Sequence, residues 1–178
     1  LLGLINDPHH MAVDVAQAFG VTEFDCLREA PDNQIARRRR DAIFPGLARL
    51  EGAALRRAVL GLSFDDVPVG RQIYDGYLRD FCKATIHRAD SSLSEILVTA
   101  GAFHAMTLRI MARYDLESVV LSHRVYARLG VVAATLLNGG IPVMGRKAGG
   151  RGFTVRHYDA LQSIFTHEWQ IEPHELDT

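Results

Sequence analysis

Residues 118–144 read SVVLSHRVYARLGVVAATLLNGGIPVM, and their pattern decides the fold. Residues 118–121 are β-branched and apolar and stop at Ser122-His123, as a buried strand running into a loop does. Val125, Leu129, Val132 and Leu136 then recur at helical spacing until Gly139-Gly140 interrupts them, and residues 141–144 return to a strand pattern. Strand, helix and strand in about thirty residues is the length a parallel crossover requires.

The same unit opens the chain. Residues 1–5 are an apolar run stopped by Asn6-Asp7-Pro8; residues 9–19 carry Met11, Val15, Ala18 and Phe19 at helical spacing before Gly20; residues 21–27 alternate. Two crossover units predict an α/β fold, a Rossmann-like, doubly wound parallel sheet with helices on both faces. Between them, residues 32–55 are helical in composition, and Pro45-Gly46 should split them into pieces at 35–44 and 47–59. Residues 59–64 are expected as a third strand, with the tail of the preceding helix as the alternative. Val69, Ile73, Tyr77, Leu78 and Phe81 form one helical stripe, predicted to run to Lys83. Ser92-Leu-Ser-Glu95 spells a capping box, placing a helix start at Ser92. Residues 145–152, GRKAGGRG, look like a linker, and residues 154–166 like an edge strand and a last helix. The expected division is one domain over 1–166, the N-terminal lobe of a two-lobe protein, with 167–178 as a tail or the start of an interlobe linker. The chain opens on Leu1 without methionine, as a piece of a longer protein would.

Composition narrows the function classes. The chain has 178 residues, 48% apolar and 23% charged, which is globular composition and excludes disordered and fibrous classes. A net charge of −1 lacks the global positive field of a dedicated nucleic-acid binder. Cys26 and Cys82 have no zinc or redox spacing, so a reducing, cytoplasmic setting is expected. Charges and glycines break the apolar runs before the ~18 residues a bilayer span needs. The run Arg37 to Arg40 is read as a solvated helix face, with contact to the inner face of the membrane as the sharper alternative.

Ligands of open parallel sheets bind beyond the carboxyl ends of the strands. That rule selects Asn6, Asp7, His9 and His10 after the first strand, Asp65, Asp66 and Gly70 after the third, and Ser122, His123 and Tyr126 after the fourth. Lys147 lies in the loop after the fifth, where backbone amides could wrap a phosphate. His123 stands first: it ends a strand and opens a helix, where it serves either as a general base or hydrogen-bond donor, or as part of a Ser122-His123 cap. Adjacent His9 and His10 on a helix start point about 100° apart and do not share one ion, so no metal is expected. Neither a dinucleotide fingerprint nor a phosphate-loop motif occurs, so no cofactor is expected. In residues 70–79, GRQIYDGYLR, the tyrosines fit packing, while Arg71 and Arg79 could instead face an anion.

The blocks VVLSHRVYARLG, LLNGGIPV and the upstream VPVGRQIYDGYLR together resemble the N-terminal half of bacterial surface or capsular polysaccharide biosynthesis proteins of glycosyltransferase-B-like architecture. The resemblance covers about 75 residues and implies a lobe that holds a glycan or lipid-linked acceptor, with the nucleotide-sugar donor bound mainly by a second lobe. It implies His123 and Tyr126 at the interlobe cleft, with His123 first and Asp7 second as the group taking the acceptor proton. Asn6, His9, His10, Gly70, Arg71, Ser122, Tyr126 and Lys147 are the expected substrate contacts. Two alternatives stay open: a nucleotide-sugar isomerase or hydrolase lobe, and a non-enzymatic binding or assembly domain of an envelope polysaccharide system.

Overall fold

The computed structural model describes residues 2–5, 17, 23–26, 32–121, 125–147 and 154–161. Strand β1 (Leu2–Ile5) pairs in parallel with β2 (Glu23–Cys26), Leu2 opposite Glu23 and Ile5 opposite Cys26. A parallel pair cannot be joined by a tight turn; the helix expected at 9–19 lies, but for residue 17, outside the described residues. Helix α1 (Asp32–Leu47) follows. It runs through Pro45 without the predicted break. Proline removes only one amide there, and the helix ends two residues later, so the interruption falls at 48–51 instead. Gly52, at φ 53, then opens α2 (Gly52–Leu60), and its amide is tied to the His87 carbonyl at 2.7 Å.

The predicted third strand is mostly helix. Leu55 and Val59 are both fully buried, and this i, i+4 pair carries α2 through Leu60. Only β3 (Ser63–Phe64) is extended, pairing antiparallel with β4 (Val67–Pro68). Asp65 and Asp66, at φ 46 and 66, make the two-residue turn, the left-handed pair that matches strand twist and that aspartate tolerates. A hairpin therefore stands where a parallel strand was expected.

Helix α3 (Gly70–Asp80) buries Ile73 and Tyr77 as the stripe predicts, but stops three residues before Lys83. The long α4 (Ser91–Arg113) is capped by Asp90, whose Oδ1 accepts from the Leu93 amide at 2.9 Å. The capping box at Ser92 does not form, because Ser92 already lies inside the helix. Asp90 is held by a second donor, the Tyr77 hydroxyl at 3.0 Å, and burial together with that carboxylate pushes the Tyr77 phenol up to about 12.

Strand β5 (Val119–Leu121) leads through a π-helical turn (Tyr126–Gly130) into α5 (Val131–Asn138). The chain returns as β6 (Val143–Lys147), parallel to β5 with Val119 opposite Val143. This is the crossover read from residues 118–144. Strand β7 (Thr154–Tyr158) then pairs antiparallel with β6, Lys147 opposite Thr154. The first three residues of the supposed linker at 145–152 are therefore strand, and the rest of it lies outside the described residues.

The described residues are mixed α/β and largely helical, with sheets of two, two and three strands. A doubly wound parallel sheet is not among them: the segment expected to supply its middle strand folds as α2 and a hairpin, and β7 is antiparallel. The core is built on α4. Its first half packs Leu93, Ile96, Leu97 and Ala100 with Leu55, Val59, Ile73 and Tyr77 of α2 and α3. Its second half packs Met106 and Ile110 with α5 and the buried Leu121, Val143 and Tyr158 of the three-stranded sheet. At 23 residues and mean hydropathy 1.2, α4 is long and apolar enough to cross a membrane, contrary to the sequence expectation; half of that stretch is buried inside the protein.

Candidate functional site

The π-helical turn after β5 carries backbone strain on a bulky residue at a predicted site. Val125 is extended, Tyr126 takes φ 67, and the Gly130 amide reaches back to the Val125 carbonyl at 3.2 Å. A bulky L residue in the left-handed region costs on the order of 1–3 kcal/mol and persists only where its surroundings enforce it. Helix α3 supplies the enforcement. The Arg79 guanidinium lies over the Tyr126 ring, 4.3 Å from its centroid. One turn earlier, a Cβ on Gly76 would come within 2.8 Å of the Ala127 Cβ, so only glycine lets the turn and the helix approach this closely.

Gln72, Gly76 and Arg79 stand at i, i+4 and i+7 of α3 and so share the face turned toward this turn. Gln72 is 3% exposed, and among the described residues neither its Oε1 nor its Nε2 has a hydrogen-bond partner. An unsatisfied buried amide costs about 1–3 kcal/mol. Such a group needs an explanation, and an occupant to bond it is one.

The other predicted contacts fall as follows. Asn6, Asp7, His9, His10, Ser122 and His123 lie outside the described residues. Gly70 is buried, its amide is used by the Leu62 carbonyl at 3.0 Å, and an added Cβ would fall 2.3 Å from the Leu60 carbonyl oxygen; it is a packing glycine that seats α3 against α2. Arg71 is half exposed and lies 3.8 Å from Asp75 one turn on, so it faces its own helix. Lys147 ends β6. Tyr126 alone of the described candidates meets α3 at the turn: its ring lies under Arg79, and its neighbour Ala127 packs against Gly76, so the contacts of the turn fall on Gly76 and Arg79 rather than Gly70 and Arg71.

Away from this turn lies a polar chain that the sequence reading missed. His104, fully buried at the centre of α4, is 2.9 Å from Thr135 Oγ1 through Nδ1 and 3.1 Å from Asp65 Oδ2 through Nε2. Asp65 also accepts from Arg39 at 2.6 Å, and Arg39 stacks over Phe64, whose ring packs against His104 edge-on at 5.7 Å. Two residues of the Arg37–Arg40 run are therefore drawn inward, since Arg40 also donates to Ser94. Burial lowers the His104 pKa; the hydrogen bond to Asp65 opposes this and the Arg39 charge adds to it, leaving the ring below its ordinary value. Burial by itself would raise Asp65, but the hydrogen bonds from His104 and Arg39 and the charge of Arg39 prevail and hold it low.

These directions fix the protons. A neutral ring beside a carboxylate carries its hydrogen on Nε2, so Nδ1 accepts from the Thr135 hydroxyl. Were the ring to charge, Nδ1 would donate, and the hydroxyl would turn to the Val131 carbonyl, 2.8 Å away. With Thr135 1% exposed and His104 at 0%, no exposed nucleophile among the described residues completes a catalytic triad; these contacts fasten the β3–β4 turn, α1, α4 and α5 together. The signal was present in the sequence: His104 stands at i+4 from Ala100 on the apolar stripe of α4 and must have a partner.

Among the described residues no group of three or more His, Cys, Asp or Glu could hold a metal ion. Comparison of the chain with models of known protein families, with curated proteins and with solved structures finds no match in any of the three.

Proposed function

We propose that this chain is the acceptor-binding lobe of a glycosyltransferase-like protein of bacterial surface polysaccharide biosynthesis, working with a nucleotide sugar held by a second lobe. The observation that carries the reading is the crossover from β5 to β6, whose first turn holds Tyr126 at φ 67 beneath Arg79 and beside a face bearing an unbonded, buried Gln72. Strain in the turn that follows a parallel strand, beside a helix bearing an unsatisfied buried amide, is what a ligand-facing turn carries. His123, two residues past β5, takes the proton of an acceptor hydroxyl while the donor's nucleotide departs, and Asp7 is the second choice for that role. Tyr126 offers its ring to the apolar face of a sugar.

The test is calorimetric titration of the chain with a panel of hexose, N-acetylhexosamine, uronic-acid and heptose glycosides. A glycan is expected to bind, and His123→Ala and Tyr126→Gly are expected to weaken it at least tenfold while the circular dichroism spectrum is unchanged. Binding by none of the panel, or unchanged affinity in both variants, overturns the reading. Release of nucleotide from a nucleotide sugar without any acceptor would favour the isomerase or hydrolase alternative.

A further inference from the structure

A trough of about 240 Å³ lies between the first turn of α1, the middle of α4 and the π-helical turn. Its floor is Val98, Ala102, Phe103 and Met106 of α4, and Asn33 and Arg128 stand with them at its edge. Two features make it more than a packing defect. The floor belongs to a largely apolar helix, yet its Val98, Ala102 and Phe103 are only half-buried. Arg128 is exposed, and its guanidinium makes no hydrogen bond, ion pair or ring contact among the described residues. The nearest acid on α1, Asp32, is buried and already bonded to Arg109 at 3.3 Å rather than to Arg128. The α1 amino end, next to Asn33, adds the positive pole of a sixteen-residue helix.

We propose that this trough binds a phosphate monoester carrying a hydrocarbon arm, the arm lying on Val98, Ala102, Phe103 and Met106 and the phosphate at Arg128. Charge complementarity selects the head: an unpaired guanidinium fork takes an oxyanion, and a phosphate has oxygens enough to meet both the fork and the Asn33 amide. Size selects the arm. The volume is below the roughly 300–1,000 Å³ of pockets that enclose a whole drug-sized ligand, so the trough holds one end of a longer molecule. The inference goes beyond the sugar-transfer reading: Arg128 shares the Tyr126–Gly130 turn, but the floor lies on α4, apart from the Tyr126–Arg79 contact.

The test is titration of the full chain with octyl phosphate below its micelle concentration, followed by methyl NMR, with octanol, inorganic phosphate and octanoate as separate arms. Octyl phosphate is expected to bind saturably and to shift the methyl signals of Val98, Ala102 and Met106. Arg128→Gln, on an exposed side chain and so safe for the fold, is expected to weaken it about tenfold, the scale of one lost charge-assisted hydrogen bond. Octanol and inorganic phosphate are expected to bind more weakly by at least the same factor. Shifts elsewhere, an unchanged affinity in Arg128→Gln, or inorganic phosphate or octanol binding as well as octyl phosphate overturn the proposal. Octanoate binding equally well overturns the choice of phosphate.

Discussion

Thr135→Val should destabilise the protein more than His104→Leu does, and the two changes together should cost no more than the histidine change alone. Thr135→Val removes the hydroxyl that donates to His104 Nδ1 and leaves that buried ring nitrogen without a partner among the described residues, at about 1–3 kcal/mol. His104→Leu removes two hydrogen bonds, but each former partner has another. Thr135 turns to the Val131 carbonyl, Asp65 stays with Arg39, and the leucine fills an apolar site, for a net change within about 1 kcal/mol. With the ring gone, valine at 135 strands nothing, so the cycle should show a coupling of about 1–2 kcal/mol. Urea unfolding of the wild type, both single variants and the double variant at pH 7.5 measures it. Additive costs, or a neutral Thr135→Val in the presence of His104, would refute the proton arrangement.

The remaining predictions concern the same framework. Because the folded protein holds His104 below its ordinary 6.5, the unfolded chain binds the proton first, and stability should fall as pH drops from about 6.5 toward the folded value and then level off. His104→Leu should remove up to ~1.4 kcal/mol per pH unit of that slope, measured as the difference between the two proteins' urea midpoints from pH 5 to 8. Gly76→Ala should destabilise by about 1–2 kcal/mol, overpacking against Ala127 outweighing the gain in helix propensity, whereas Gly46→Ala, with nothing within 4 Å of the new Cβ, should stabilise by about 0.5–1 kcal/mol; thermal melts of both decide it. Asp90→Ala should cost about 1–2 kcal/mol and Ser92→Ala less than ~0.5 kcal/mol, because the cap of α4 is Asp90; equal losses in denaturation would contradict that placement.

What the sequence made legible was periodicity. The β5–α5–β6 crossover, the apolar stripe of α3 and the long α4 all follow from residues whose burial repeats at the period of their element. What it concealed depended on contacts distant in the chain or on single competing groups. Asp65-Asp66 looks like a loop after a strand, yet its tolerance of positive φ builds a hairpin, and the carboxylate of Asp65 is fixed by Arg39 and His104, 26 and 39 residues away. Pro45 failed to break α1 because it sits where few helical bonds remain to be lost. Ser92 lost the cap to Asp90, a carboxylate already held by Tyr77. For the site, Tyr126 was legible from its place after a strand and Arg79 was singled out as a possible anion contact, but Gly76 was not, because nothing in a helical stripe reveals which small residue a neighbouring turn will press against.

The central claim is that the turn after β5 and the facing side of α3 bind carbohydrate. Backbone amide NMR of the chain with a bound oligosaccharide tests it most directly: the largest shifts are predicted at residues 125–130 and at Gln72, Gly76 and Arg79, with the β6–β7 pairs little changed. Shifts confined to other surfaces, or none with any glycan, would contradict the account.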